Sequence, residues 1–388
     1  MPDAPVFEVD PRAFWSDPYP DLARMRAEAP IARVPQLGGA VLMTRRADIH
    51  REEKRIEVFS SRQPEGLMTK LMGENLMRRD GEAHLSERRA LFPALSPRTV
   101  RETWLPLFRE RTAAILDDLA PRGEADLVRD YAMPVSAEAL KLITGLTNMA
   151  AAEMDRVSQG MIDGCSNYAG DPAIEAHCHD CTASIDRHIA ERMPRLSAAP
   201  DMSAISVMER AGLGPDRISA NTKLIISGGQ NEPRDAIAGA AWAVLRHPEV
   251  RDAAVAGLLG WDAVFAEYAR WISPIGMSPR EVAQADTVEG IDFTPGTRVF
   301  LMFGSANRDE DAFDAPDRFD PWRDTSAAIP FGAGPHFCAG AAASRALIAE
   351  VALPMLFERL KGLRLAGEAP FGGWAFRGPL AVPVAWDA

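Results

Sequence analysis

The sequence predicts a mainly α fold with small β-sheets, of the α+β class, built as a single domain over residues 1–388. Three observations predict it. Apolar residues at helical spacing fill most of residues 97–270. Strand-like pieces lie near both ends, at about 30–46, 281–308 and 371–386. Strand and helix do not alternate regularly, which argues against a parallel sheet wrapped by helices. The composition, 47% hydrophobic and 25% charged, supports a globular core rather than disorder. A net charge of −12 argues against a nucleic-acid partner, which a basic face would serve. No apolar run reaches the length of a membrane span. The first residues lack a basic start followed by an apolar stretch, so no signal peptide is expected and a cytoplasmic location is. There Cys165, Cys178, Cys181 and Cys338 are expected as thiols.

The elements follow in order. Residues 21–29 read as a short helix, and residues 30–46 as two strands around Gly38-Gly39. Helical patterns follow at 101–120, 173–193, 217–229 and 263–272. Short strands over 281–308 are punctuated by Gly290 and by Pro295-Gly296. A last helix is expected over about 340–360 and a hairpin over 371–386. One stretch breaks its own pattern. "ISGGQNEPRDAI", residues 226–237, places Pro233 where a helix should continue. Proline there removes a hydrogen bond and frees the Gly229 carbonyl, which then needs a partner such as a water or a bound oxygen species.

The chemistry concentrates in "FGAGPHFCAGAAASR", residues 331–345. Gly332, Gly334 and Pro335 exclude regular structure ahead of Cys338, and a helical pattern starts just after it. Free N–H groups at a helix start favour a thiolate, and a ferric iron would hold the sulfur ionised. Small residues at Gly334, Ala339 and Gly340 would let a flat macrocycle approach the backbone. A solitary cysteine is otherwise an ordinary buried thiol. The spacing Phe331-x-x-Gly334-x-His336-x-Cys338-x-Gly340 distinguishes the two, because it resembles the haem-binding loop of the cytochrome P450 family.

Other stretches carry the same resemblance in the family's order. "EYAR" matches its E-x-x-R pair with Glu267 and Arg270, and "PDRF" supplies Arg318 as the third member of its structural Glu-Arg-Arg cluster. "HLSER" matches H-x-x-x-R with His84 and Arg88, one helical turn apart. The resemblance implies a P450 fold, with haem b between a kinked distal helix and a proximal cysteine loop. It implies Cys338 as axial iron ligand, and His84, Arg88, Arg280 and His336 as contacts to the haem propionates. It also implies dioxygen as co-substrate and a separate ferredoxin with its reductase, or a flavin reductase, as electron donor. Arg78, Arg79, Arg89 and Arg345 are the candidate docking patch for that donor.

Laid on the family's distal-helix pattern, Gly228 and Gly229 take the small positions, Asn231 the usual acid and Glu232 the usual threonine. Both polar positions depart from the pattern. Glu232 can still donate a proton, and a dry pocket would raise its pKa toward a useful range. Asn231 cannot titrate but can orient a water. Leu67, Met68, Leu71 and Met72 resemble the family's substrate-covering loop. Ile225, Gly228, Met277, Trp374 and Phe376 match other substrate-facing stretches. Together they suggest a compact apolar pocket for a small, even aromatic, substrate that is hydroxylated or O-demethylated. Two other readings stay open: a peroxygenase or rearranging enzyme on the same fold, and a non-catalytic recruitment module. "AHCHDC", residues 176–181, resembles a metal cluster only on paper, since His177 and Cys181 alone share a helix face.

Overall fold

The computed structural model describes residues 4–167 and 170–387. Strands Ile31–Val34 and Ala40–Met43 pair antiparallel across a 3₁₀ turn at Pro35–Leu37. Gly38 and Gly39 close that turn at φ of 70° and 69°, which side-chain-bearing residues rarely adopt. Ala40–Met43 then pairs parallel with Arg298–Leu301. Ser278–Val282 and Phe59–Ser60 extend the sheet antiparallel to five strands. Its apolar face and the helix Tyr19–Glu28 build one core around Phe14, Met25, Leu42, Phe59, Phe293 and Phe300. The strand pattern expected over 281–308 ends at Leu301, and Phe303–Ala306 is a helical turn.

Two compact units form. The first takes in the described residues of Met1–Gln63, Gly239–Cys338 and Glu368–Val382, and the second those of Pro64–Ala238, Ala339–Gly367 and Pro383–Ala388. The second is chiefly helical. Its Ala151–Cys165 and Pro172–Ala198 helices meet closely because Gly160 and Gly164 present no side chain. A Cβ at Gly160 would lie 2.4 Å from the Cys181 sulfur, and one at Gly164 2.6 Å from that of Cys178. The two cysteines therefore fill glycine notches.

The last helix runs Ala341–Leu347 and Leu353–Arg359 with a π turn at Ile348–Ala352 between them. The Tyr131 hydroxyl donates to the Ala352 carbonyl in that turn at 2.6 Å. The expected hairpin over 371–386 is split. Phe371–Gly372 pairs with Gly378–Pro379, whereas Pro383–Ala385 joins Glu124–Asp126 and Arg364–Leu365 in a separate sheet. Alternation specifies which face a strand buries and leaves its partner open. Among the described residues no helix is long and apolar enough to cross a membrane.

Candidate active site

The cysteine loop is shaped by its glycines. Gly332 and Gly334 sit at φ of 73° and 68°, and Gly334–His336 forms a 3₁₀ turn. The Cys338 N–H donates to the Phe331 carbonyl at 2.9 Å, closing the loop on itself. Cys338 is a half-buried thiol outside any disulfide, and helix begins at Ala341. The loop rests on the end of the helix Arg46–Glu52: a Cβ on Gly334 would lie 3.0 Å from Lys54 Cγ. Its Ala333 N–H donates to Glu53 Oε2 at 2.6 Å. Glu53 is not among the site residues expected from the sequence; it stands in the charged stretch "REEKR", residues 51–55.

Arg280, on the strand Ser278–Val282, is buried and donates from Nη1 to the Pro279 carbonyl at 3.0 Å. Its Nη2 faces Glu53 Oε1 at 3.4 Å. His336 lies half-buried in the turn before Cys338. In the other unit His84 and Arg88 share a face of the helix Gly81–Leu95. His84 is buried, and its Nδ1–H donates to the Leu76 carbonyl at 2.9 Å, which fixes the ring's orientation. Cys338, His336 and Arg280 in the first unit supply a thiol, an imidazole and a guanidinium group, and His84 and Arg88 in the second an imidazole and a guanidinium group, the donor types that a ferric porphyrin with two carboxylates takes.

The distal-helix stretch is broken rather than kinked. One helix runs Pro215–Ser227 and the next Asn231–Arg246, with Gly228–Gln230 between them. A Cβ on Gly229 would lie 2.5 Å from the Ile225 carbonyl oxygen, so glycine is required at the break. Pro233 falls in the first turn of the second helix, where an N–H has no helical partner to lose. The carbonyl expected to await a water has a protein donor instead. Ser136 Oγ lies 3.4 Å from the Gly229 oxygen and 2.7 Å from that of Gln230.

At the break and just past it three residues carry buried acceptors that no donor of another residue reaches: Gln230 Oε1, Asn231 Oδ1 and both carboxylate oxygens of Glu232. Asn231 donates from Nδ2 to Gln159 Oε1 at 3.0 Å, so its amide orientation is set and its oxygen faces the other way. Arg234, the nearest cation in sequence, pairs with Asp155 at 3.0 Å and Asp235 at 2.9 Å. Burial pushes the Glu232 carboxyl up to about 8; the Asp235 charge adds to this, while Glu232's own backbone N–H and Arg234 oppose it. It therefore holds its proton at neutral pH.

The Glu267–Arg270 pair is fully buried on the helix Trp261–Ile272. Arg270 donates to Glu267 from Nε at 2.7 Å and Nη2 at 2.8 Å, and to the Asn307, Pro316 and Arg318 carbonyls. Arg318 is not the third charged member. Its side chain is exposed and pairs with Asp320, leaving only its carbonyl in the cluster. Arg323 supplies the charge, with Nε 3.2 Å from Glu267 Oε1. Turns over 315–318 and 320–323 redirect the chain on either side of Phe319, and the second brings Arg323 to Glu267.

The pocket candidates divide between the units. Leu67–Met72 is a short helix rather than a loop; Leu67 and Met68 are half-buried, while Leu71 and Met72 are buried. Leu71 lies against Gly164, and Met72 Sδ is 3.7 Å from Cys165 Sγ, so these two serve packing. Ile225 and Glu232 are half-buried on helices whose other positions are mostly buried, and Gly228 is exposed in the break between those helices. Met277 and Trp374 pack on the core of the first unit, with Trp374 5.7 Å from Phe14 and 5.8 Å from Phe300 between ring centres. Phe376 is half-buried and its backbone bridges to Ile275.

The expected basic patch is thinner than its sequence suggests. Arg78 is buried, Arg79 pairs with Glu74 at 2.7 Å, and Arg89 pairs with Glu82 at 2.8 Å. Among the described residues no three His, Cys, Asp or Glu side chains gather as a metal site, "AHCHDC" included.

A cytochrome P450 family model matches residues 244–360. The chain is 30% identical over 387 residues to the 20-oxo-5-O-mycaminosyltylactone 23-monooxygenase of Streptomyces fradiae, covering 95% of this chain and 90% of that one. It is 26% identical to the vitamin D(3) 25-hydroxylase of Pseudonocardia autotrophica, over 91% of this chain and 89% of that one. Among solved structures, P450BioI in complex with an acyl carrier protein bearing hexadec-9Z-enoic acid matches with a TM-score of 0.89 at 22% identity, covering 97% of this chain and all of that one. CYP109Q5 from Chondromyces apiculatus matches with a TM-score of 0.87 at 24% identity, over 98% of each chain. With a P450 fold and a full-length relative at that identity, the chain belongs to the cytochrome P450 family and is a monooxygenase that uses haem b and dioxygen.

Proposed function

We propose that Cys338 is the axial iron ligand, that His84, Arg88, Arg280 and His336 hold the propionates, and that Glu232 is the acid of the oxygen site. Haem, when bound, supplies reductive activation of dioxygen at its iron. The protein's part is to hold the thiolate, orient the macrocycle, exclude water and deliver protons. The observation that carries the reading is Glu232: a carboxyl group with both oxygens buried, no donor from another residue, and a pKa pushed up to about 8. An acid protonated at neutral pH and able to release its proton is suited to that delivery. The Asn231 oxygen, its amide anchored on Gln159, is placed to accept from a water that reloads Glu232.

The substrate in this reading is an apolar organic molecule that gains one oxygen atom by hydroxylation, or loses an alkyl group when the carbon beside an ether oxygen is hydroxylated. Half-buried Leu67, Met68 and Ile225 support the apolar character. The macrolide and vitamin D(3) oxidations named for its relatives support it too. Electrons come from a separate iron–sulfur or flavin protein, and the whole chain works as one P450 domain in the cytoplasm. The carbon monoxide spectrum of the reduced holoprotein tests the ligand. The parent shows the red-shifted Soret band of thiolate ligation, and Cys338→Ser abolishes it. Retention of that band in Cys338→Ser would place the sulfur elsewhere. A titration of the ferric spin state with aryl ethers and with a sterol sorts the substrate class.

A further inference from the structure

Glu53 does not fit the charge run it belongs to. Its neighbour Glu52 pairs with Arg51 at 2.6 Å and Arg55 at 2.8 Å. Glu53 turns instead under the cysteine loop, with its side chain 2% exposed. It caps the C-terminal end of the helix Arg46–Glu52, where backbone carbonyls disfavour a negative charge. Two groups meet its carboxyl. Oε2 accepts from the Ala333 N–H at 2.6 Å, and Oε1 faces Arg280 Nη2 at 3.4 Å. The loop is cut to fit: a Cβ on Gly332 would lie 2.8 Å from Glu53 Oε1. A buried acid in such a place is a poor way to gain stability, since an apolar side chain of similar volume is often as good or better.

We propose that Glu53 is a positioning residue for the axial thiolate. By joining the Ala333 N–H to the Arg280 guanidinium, its carboxyl holds the Cys338 loop and the propionate-binding strand in one fixed relation. This rests on the reading that Cys338 ligates the iron. Burial pushes the Glu53 carboxyl up to about 7, against the pull of Arg280, the Ala333 N–H and Lys54. The charged groups acting on it are thus Arg280 from the strand and Lys54 from its own segment, while the loop meets it with a backbone N–H. Deprotonation strengthens both contacts, so haem is held more firmly as pH rises through about 7.

The test uses holoprotein and measures haem transfer to an excess of an acceptor apoglobin between pH 6 and 8.5. The parent releases haem more slowly with rising pH. Glu53→Gln, which keeps an acceptor for Ala333 but no charge, flattens that profile. Glu53→Leu releases haem at least fivefold faster and loses part of the thiolate band in its carbon monoxide spectrum. Its apoprotein unfolds at the parent's temperature or above. Release within twofold of the parent in Glu53→Leu, or a Glu53→Gln profile superimposed on the parent's, overturns the proposal. So does a fall in the unfolding temperature of Glu53→Leu with haem release unchanged. A parent that lacks the thiolate band would instead overturn the ligand assignment beneath it.

Discussion

Two buried carboxylates, one in each unit, are treated in opposite ways. Glu267 accepts from Arg270 twice, from Arg323 and from the Asp320 N–H, and Arg270 spends its remaining donors on backbone carbonyls. Glu232 has no donor from another residue for either oxygen. Burying a carboxylate is costly unless its acceptors are met, and a group left unmet sheds its charge by holding a proton. The first acid is therefore tied into a buried ion-pair network that serves architecture. The second is a neutral acid at pH 7, and one that can give up its proton. The same residue type acquires two roles from its hydrogen-bond surroundings alone.

That contrast can be broken at several points. Glu267→Ala leaves Arg270 charged, buried and without its carboxylate. It should cost about 3–5 kcal/mol, read as a large drop in the thermal midpoint and in the yield of folded protein. Arg323→Ala should cost about 1.5–3 kcal/mol, the range for a hydrogen bond to a charged group. Arg318→Ala should stay within about 0.5 kcal/mol. Equal effects of the two arginines in denaturant unfolding would return Arg318 to the cluster. Ser136→Ala removes the hydroxyl that serves the Gly229 and Gln230 carbonyls and should cost about 1 kcal/mol.

The pH dependence of stability sharpens the other side of the comparison. The Glu232 carboxyl is raised in the fold to about 8, from about 4.3 in an unfolded chain. The fold therefore binds the extra proton between those values. Its contribution is full below about pH 4.3 and is lost as pH rises through about 8. Glu232→Gln should remove that slope from a series of unfolding curves.

Much of this was legible in the residues. The loop from Phe331 to Gly340 announces its chemistry because glycine placement, a cysteine and a following helix are all local. Glu267 and Arg270 are legible for the same reason, since three residues on a helix fix their contact. Arg323 was not, because two arginines five residues apart compete for one carboxylate and only the path of the intervening turn decides. The break at Gly228–Gln230 was read as a proline kink because Pro233 is the stronger local signal; the close approach of Gly229 to the Ile225 carbonyl has no sequence signature. Glu53 was invisible for a related reason. Charge runs look alike in sequence whether they face solvent or a loop some 280 residues away.

The most direct test of the central contrast is the fraction of consumed reductant recovered as oxygenated product, followed from pH 6 to 9 in the parent and in Glu232→Gln with one bound substrate. If Glu232 is the neutral acid that delivers protons, the parent's fraction declines as pH passes about 8. The variant then gives a low value, at least tenfold down and flat with pH. Superimposed profiles, with equal yields at neutral pH, would show that the open carboxyl takes no part in the reaction.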